Sequence, residues 1–302
     1  MSEAPLFFTA KTIVPKDRSQ IVSIATGLPD LDKRIIGLNK GEVSCVSGLS
    51  GSAKSTWLSQ LAIEVVNSGK KVALFSGELS ENRVLDWLHL QCAGNAFCIP
   101  TKYENYYYVM PQVVPYIDTW LDQKLFVYNN NYGNKVDDIL KALEHCVVTK
   151  KVDIVITDNL MSIDLGATSY NKNELQTSFI HRIVKFARDH NVHVILVAHP
   201  RKTIGFLRKD DIAGTADLTN AVDNVFIVHR VNYDFKRLTQ ATFGWNTENP
   251  NYNYNNVIEI CKNRDLGYQD VMIGLYFDIA SKRFRCENQT EKEYGWTSLL
   301  PR

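Results

Sequence analysis

The sequence predicts an α/β domain: a central, mostly parallel sheet with helices on both faces and an antiparallel hairpin near its C-terminal end. Two observations carry this expectation. Strand-like runs such as VALFS, VDIVITD and VHVILVAH are nearly continuous in Val, Ile and Leu, as in strands buried on both faces, and they alternate with stretches that repeat apolar residues at helical spacing. The last two such runs, NNVIEICKNR and VMIGLYFDI, follow one another with only a short turn between them, as the arms of a hairpin do.

The elements read in order as follows. The first ~20 residues hold no sustained period and read as an extended arm. A short helix within TGLPDLDKRIIGLNKGEV precedes a turn, and Glu42 to Ser47 forms a buried strand ending at Gly48. A helix over Ser55 to Asn67, a strand in KKVALFSGE and a helix over Glu81 to Gly94 come next. The tyrosine-rich stretch Tyr103 to Tyr108 follows, read as local packing rather than a base-stacking platform, and then the strand KLFVYN. The alternation resumes with helices over Val136 to Thr149, Asn173 to His190 and Ala213 to Val222, interleaved with the strands VDIVITD, VHVILVAH and NVFIVHR. No internal repeat interrupts it, so a single domain is expected over 23–287, between an arm at 1–22 and a tail at 288–302.

Composition narrows the class of function. The chain has 302 residues, 45% of them hydrophobic, enough for a sizeable core, and a net charge of +1, so any polyanion must be met by local basic loops. The six cysteines form no CxxC pair and read as reduced structural thiols, and His89, Cys92 and Cys98 give too few ligands at too unfamiliar a spacing for zinc. The N-terminal letters lack a signal-peptide core, and no apolar run reaches the ~18 residues that span a bilayer. A cytoplasmic protein is expected, in a bacterial or phage-infected cell or, alternatively, an organelle matrix.

The chemistry begins at GLSGSAKST, which follows the strand VSCVS and opens a helix. A glycine-rich turn in that context is a phosphate-binding loop. Backbone N–H groups of Gly48, Ser50, Gly51, Ser52, Ala53, Lys54, Ser55 and Thr56 would cradle the phosphates of ATP, with Lys54 pairing with their charge and the Ser55 hydroxyl on Mg²⁺. Ala53 stands where glycine usually precedes the lysine. Asp158 ends an apolar strand, where an acid can reach the same Mg²⁺ through water. Glu78 lies just past another strand end and can polarise a water beside the γ-phosphate. His199 ends a third strand in VAHPRK. Lys262 and Arg264 share one side of a late strand and its turn, placed to project toward an anion on another subunit.

Taken in order, GLSGSAKST, SGELS, ITDN, VAHPRK, DIAGTADLTNAVDN and CKNRDLG resemble the RecA-fold motor domain of ring-shaped replicative DNA helicases: the DnaB type, the phage primase-helicases and Twinkle. The resemblance runs from about Thr26 to Cys286. It implies a RecA-like core in which Glu78 is the catalytic carboxylate, His199 the sensor of the γ-phosphate and Arg264 a finger supplied in trans with help from Lys262. It further implies that Arg230 and Phe277 sandwich the base. DNA-contacting loops fall at 161–174 and 200–215, the second with Arg201, Lys202, Arg208, Lys209, Gly214 and Thr215 toward phosphates. Ile212, Ala213, Thr219 and Asn220 stand where relatives commonly carry Arg or Gln, so backbone N–H groups and neighbouring lysines take their place.

The expected activity is ATP-driven movement along single-stranded DNA, 5′ to 3′ by resemblance, in a homo-oligomeric, hexameric ring with a primase, polymerase or loader as possible partner. A recombination-accessory ATPase and a non-translocating ATP-dependent assembly module are the alternatives.

Overall fold

The computed structural model describes residues 7–14, 17, 20, 23–159, 162–166, 172–201, 205–212 and 216–301. In chain order the elements are α1 (Pro29–Ile35), β1 (Val43–Ser47), α2 (Lys54–Asn67), β2 (Val72–Ser76), α3 (Glu81–Ala93), β3 (Cys98–Pro100), β4 (Tyr107–Val109), α4 (Val114–Leu121), β5 (Leu125–Val127) and α5 (Val136–Lys150). They continue with β6 (Ile154–Asp158), α6 (Lys172–His190), β7 (His193–Val197), α7 (Ala216–Ala221), β8 (Asn224–Arg230), α8 (Tyr233–Phe243), β9 (Asn256–Asn263), β10 (Val271–Phe277) and β11 (Phe284–Arg285).

Nine strands form one sheet in the order β11-β10-β9-β8-β1-β7-β6-β2-β5. Pairing is parallel from β5 through β8 and antiparallel from β8 to β11. β1, β2, β6 and β7 are buried at every position, which is why their sequences show unbroken apolar runs. Successive residues still face opposite ways. Val46 packs with Leu58, Leu61 and Ala62 of α2 on one face, while Cys45 packs with Phe179, Ile180 and Ile183 of α6 on the other. The expected layering and the C-terminal hairpin, β9 with β10, are both present.

Three differences from the sequence reading have physical causes. Tyr103, Tyr106 and Tyr108 are 64%, 62% and 44% exposed, so the cluster is not a packed one. Tyr107 alone turns inward against the core, because neighbouring residues of the β3–β4 hairpin alternate faces. Helix α8, absent from the sequence reading, starts at Asn232, whose side chain accepts from the Phe235 N–H. It builds a small third core from Phe206, Phe235, Tyr252 and Val257. The 288–302 segment is not loose: Tyr294 and Trp296 are buried in the same core as α2 and α4, and the Trp296 indole N–H donates to the Cys92 carbonyl at 2.8 Å. Among the described residues no helix is long and apolar enough to cross a membrane.

Candidate active site

The phosphate-binding loop leaves the carboxyl end of β1 and turns into α2, whose first-turn N–H groups have no intrahelical acceptor and no acidic neighbour in that turn. Gly48 has φ 151°, and a Cβ there would lie 2.4 Å from the Val228 carbonyl oxygen, so only glycine lets the loop pass β8. Ala53 adopts the left-handed conformation at φ 70°, ψ 32°, where glycine would sit without strain. Ser50 and Gly51 are exposed at the loop tip, whereas Ser52 is buried with its hydroxyl unpartnered among the described residues. The Ser52 carbonyl accepts from the Asn256 side-chain amide at 3.0 Å, and the carbonyl of buried Thr56 accepts from Gln91 Nε2 at 2.8 Å. Lys54 Nζ donates to the carbonyls of Gly48 at 2.9 Å and Leu49 at 3.1 Å. Burial lowers the Lys54 ammonium's pKa, while the charges of Asp158 and Glu78 oppose that shift.

The acids arrive from neighbouring strands. β6 lies between β2 and β7, and Ser76 pairs with Asp158, so the ends of all three strands meet at the loop's edge of the sheet. Asp158 accepts a hydrogen bond from Ser55. Burial raises its carboxyl pKa; Lys54 and His199 pull it down, and Glu78 pushes the same way as burial. Glu78 Oε1 meets His199 Nε2 at 3.1 Å and accepts from the Asn159 amide, whose Nδ2 also lies 2.8 Å from His199 Nε2. Asn159 is 1% exposed and its Oδ1 accepts from the Ser162 N–H at 3.2 Å. Gly77 completes the arrangement, since a Cβ there would lie 1.8 Å from Ser162 Oγ. Four of the sequence candidates, Ser55, Glu78, Asp158 and His199, thus share one locus beside Lys54.

Lys262 and Arg264 lie elsewhere. β8 runs parallel to β1 with Ser44 opposite Asn224, and β9 returns antiparallel with Lys262 opposite Val225. Both cations therefore sit at the edge opposite the phosphate-binding loop, while Arg230, opposite Asn256, and Phe277 lie toward the loop's own edge. Lys262 Nζ donates to the carbonyls of Thr219, Asn220 and Val222 at 2.7–2.9 Å, and Arg264 donates to Asp223 Oδ1 at 2.8 Å and to the Asn220 carbonyl at 3.0 Å. They close the C-terminal end of α7, a place where carbonyls favour cations. Burial and the neighbouring Arg264 lower the Lys262 pKa. Phe277 is half-buried, 5.0 Å from the Phe284 ring, and Arg230 is exposed.

The family model described as the AAA domain matches residues 9–205, about two thirds of the chain and the whole loop-and-acid locus. The chain belongs to the AAA domain family. Within the family's core this AAA domain carries the RecA-like motor fold of replicative helicases. The solved ATPase domain of one DnaB-like helicase superposes with a TM-score of 0.70 at 15% identity, covering 89% of this chain and 93% of that one. A second DnaB-like replicative helicase, solved for its interactions with primase, gives 0.71 at 16% identity, covering 90% of this chain and 65% of that one. The Twinkle homolog protein, chloroplastic/mitochondrial, of Arabidopsis thaliana is 26% identical over 220 residues, 68% of this chain. This chain spans 30% of that relative's length. The AAA domain is an ATP hydrolase by class.

Of the expected DNA contacts in this AAA domain, Lys202, Gly214 and Thr215 lie outside the described residues, as does Met161 of the other loop. Arg201 is exposed, its N–H bonded to the Asp211 carbonyl at 2.7 Å, and Lys209 is half-buried in a short 3₁₀ turn. Arg208 departs from expectation. Its guanidinium pairs with Asp270 at 3.1 Å and with buried Glu259 at 3.6 Å, over the Phe243 ring at 5.3 Å, because the loop folds onto the β9–β10 hairpin. Asn159 and Asn256 escaped the sequence reading. The first stood in plain view after the strand-ending acid in ITDN; the second carried no local signal.

Proposed function

We propose that this chain is the motor of a replicative-type DNA helicase, an ATPase that moves along single-stranded DNA 5′ to 3′ as a hexameric ring, with residues 23–287 as the ATPase unit. One observation carries the reading: the loop, Ser55, Asp158, Glu78 and His199 converge at one edge of the sheet, while Lys262 and Arg264 occupy the opposite edge, out of reach of their own loop. A site complete except for its cation, on a body that offers cations on its far side, is suited to completion by a second copy.

The donor set fits Mg-ATP. Ser55 and Asp158 offer a hydroxyl and a carboxylate in contact, the hard oxygen ligands that Mg²⁺ prefers, and the unpartnered Ser52 hydroxyl adds a donor inside the loop. Bound there, Mg²⁺ would offset phosphate charge. In the proposed cycle Lys54 exchanges its carbonyl partners for phosphate oxygens, and Glu78 takes the proton of the attacking water. Arg264 of an adjoining copy trades Asp223 for the charge developing on the transferred phosphoryl group. Arg201, Lys202 and Lys209 are the proposed DNA contacts, and Arg230 with Phe277 the proposed walls for the base. A primase, polymerase or loader as partner, and a DNA-bearing compartment such as cytosol or organelle matrix, belong to the same proposal.

The test is steady-state ATP hydrolysis with and without single-stranded DNA across protein concentration, followed by displacement from forks with a 5′ or a 3′ tail. Hydrolysis rising more than linearly with protein, stimulated by single strands and coupled to unwinding from the 5′ tail, is expected. DNA-stimulated hydrolysis without displacement would instead indicate a recombination-accessory ATPase, and indifference to DNA an assembly module.

A further inference from the structure

We infer that Asn159 is a positioning residue for hydrolysis, holding the Glu78 carboxylate at the angle from which it activates water. This rests on the reading of Glu78 as the water-activating group. Glu78 follows a strand end, and its side chain is 54% exposed. A glutamate on such a site has several rotamers to choose from, and only a restraint can keep one.

Asn159 supplies that restraint. Its Nδ2 donates to Glu78 Oε1, and the amide cannot turn over without loss, because Oδ1 is held by the Ser162 N–H. The backbone beneath is fixed in turn: Ser162 Oγ donates to the Asn159 carbonyl at 2.7 Å, and the Gly77 N–H donates to the Asp158 carbonyl at 2.7 Å. Ser162 occupies the space that a side chain at position 77 would take, so the turn after β6 and the segment leading to Glu78 interlock. With Oε1 pinned by Asn159 and His199, Oε2 has no hydrogen bond among the described residues and is the oxygen left for water.

His199 sharpens the argument. Its Nε2 lies within bonding distance of both Asn159 Nδ2 and Glu78 Oε1, but one ring nitrogen cannot accept from the first and donate to the second at once. Asn159 can serve Glu78 in either tautomer, since its amide has two protons. It is the constant partner of the carboxylate and His199 the variable one.

The experiment compares Asn159→Ala and Asn159→Asp with wild type, alone and in a Glu78→Gln background, using Mg-ATP. Both single variants should lower kcat about tenfold to a hundredfold, the scale of one hydrogen bond to a charged group, with KM for ATP within about twofold. In the Glu78→Gln background Asn159→Ala should bring no further fall, because the group through which it acts is gone. Equal losses in both backgrounds, a rise in KM in place of the fall in kcat, or unchanged turnover in Asn159→Ala would overturn the assignment. Thermal midpoints guard against misfolding, and Asn159→Asp, nearly identical in shape, supplies the comparison if Asn159→Ala is unstable. If Glu78→Gln alone hydrolyses ATP normally, the reading of Glu78 has failed instead.

Discussion

The Asn256 side-chain amide donates to the Ser52 carbonyl at 3.0 Å, joining the phosphate-binding loop to the start of β9 across 204 residues of sequence. Both residues are buried, so the bond has no water to replace it. Asn256→Ala should destabilise the fold by about 1–3 kcal/mol and weaken nucleotide binding, because it leaves a buried carbonyl unmet inside the loop. Urea unfolding and titration with a fluorescent ATP analogue measure the two effects.

Ala53 holds a backbone conformation that costs an L-residue roughly 1–2 kcal/mol. Ala53→Gly should therefore stabilise the protein by up to about 1 kcal/mol after the greater chain entropy of glycine is subtracted. Ala53→Val should do the reverse and by more, since a β-branched side chain is poorly tolerated there. Denaturant midpoints of the pair check the sign.

If Arg264 completes a neighbour's site, Lys54→Ala and Arg264→Ala should each be inactive for different reasons. Mixed, they should recover hydrolysis, because some contacts then unite an intact loop with an intact arginine. Activity in the mixture no greater than in either variant alone would count against a shared site.

His193 is fully buried between Ser44 Oγ, 2.9 Å from Nε2, and the Asn39 carbonyl, 2.6 Å from Nδ1, and burial pushes its pKa down to about 4. Between pH 6.5 and 4 the unfolded chain takes up a proton there that the folded chain refuses. Stability present above pH 6.5 is therefore lost as pH falls, by about 3 kcal/mol at pH 4 from this residue alone. Melting temperatures across that range should show the loss, with a shallower slope in His193→Gln.

Trp296 is fully buried, edge-on to Phe97 at 5.0 Å. Trp296→Ala should cost roughly 3–5 kcal/mol, and removal of 288–302 still more. Calorimetry of the two decides whether the segment behaves as part of the core.

The layered sheet was legible because strands buried on both faces leave long Val and Ile runs, and Asp158, Glu78 and His199 were legible because each closes such a run beside a loop that binds phosphate. What could not be read were pairings between distant parts of the chain. Nothing near Arg208 announces Glu259 or Asp270, so four basic letters in a loop looked like a uniformly exposed patch. Helix α8 was hidden because its apolar face is largely aromatic and serves a private core rather than the main one. Asn159 was overlooked for a different reason: its role depends on two neighbouring strands at once, and a single strand displays only its own end.

The separation of Lys262 and Arg264 from the loop they are proposed to serve also bears on arithmetic. In an open row of copies, one terminal loop always waits for a cation and one terminal cation has no loop to serve. Closing the row removes both defects in a single step. A molecule built this way gains most, per contact, from the last contact made.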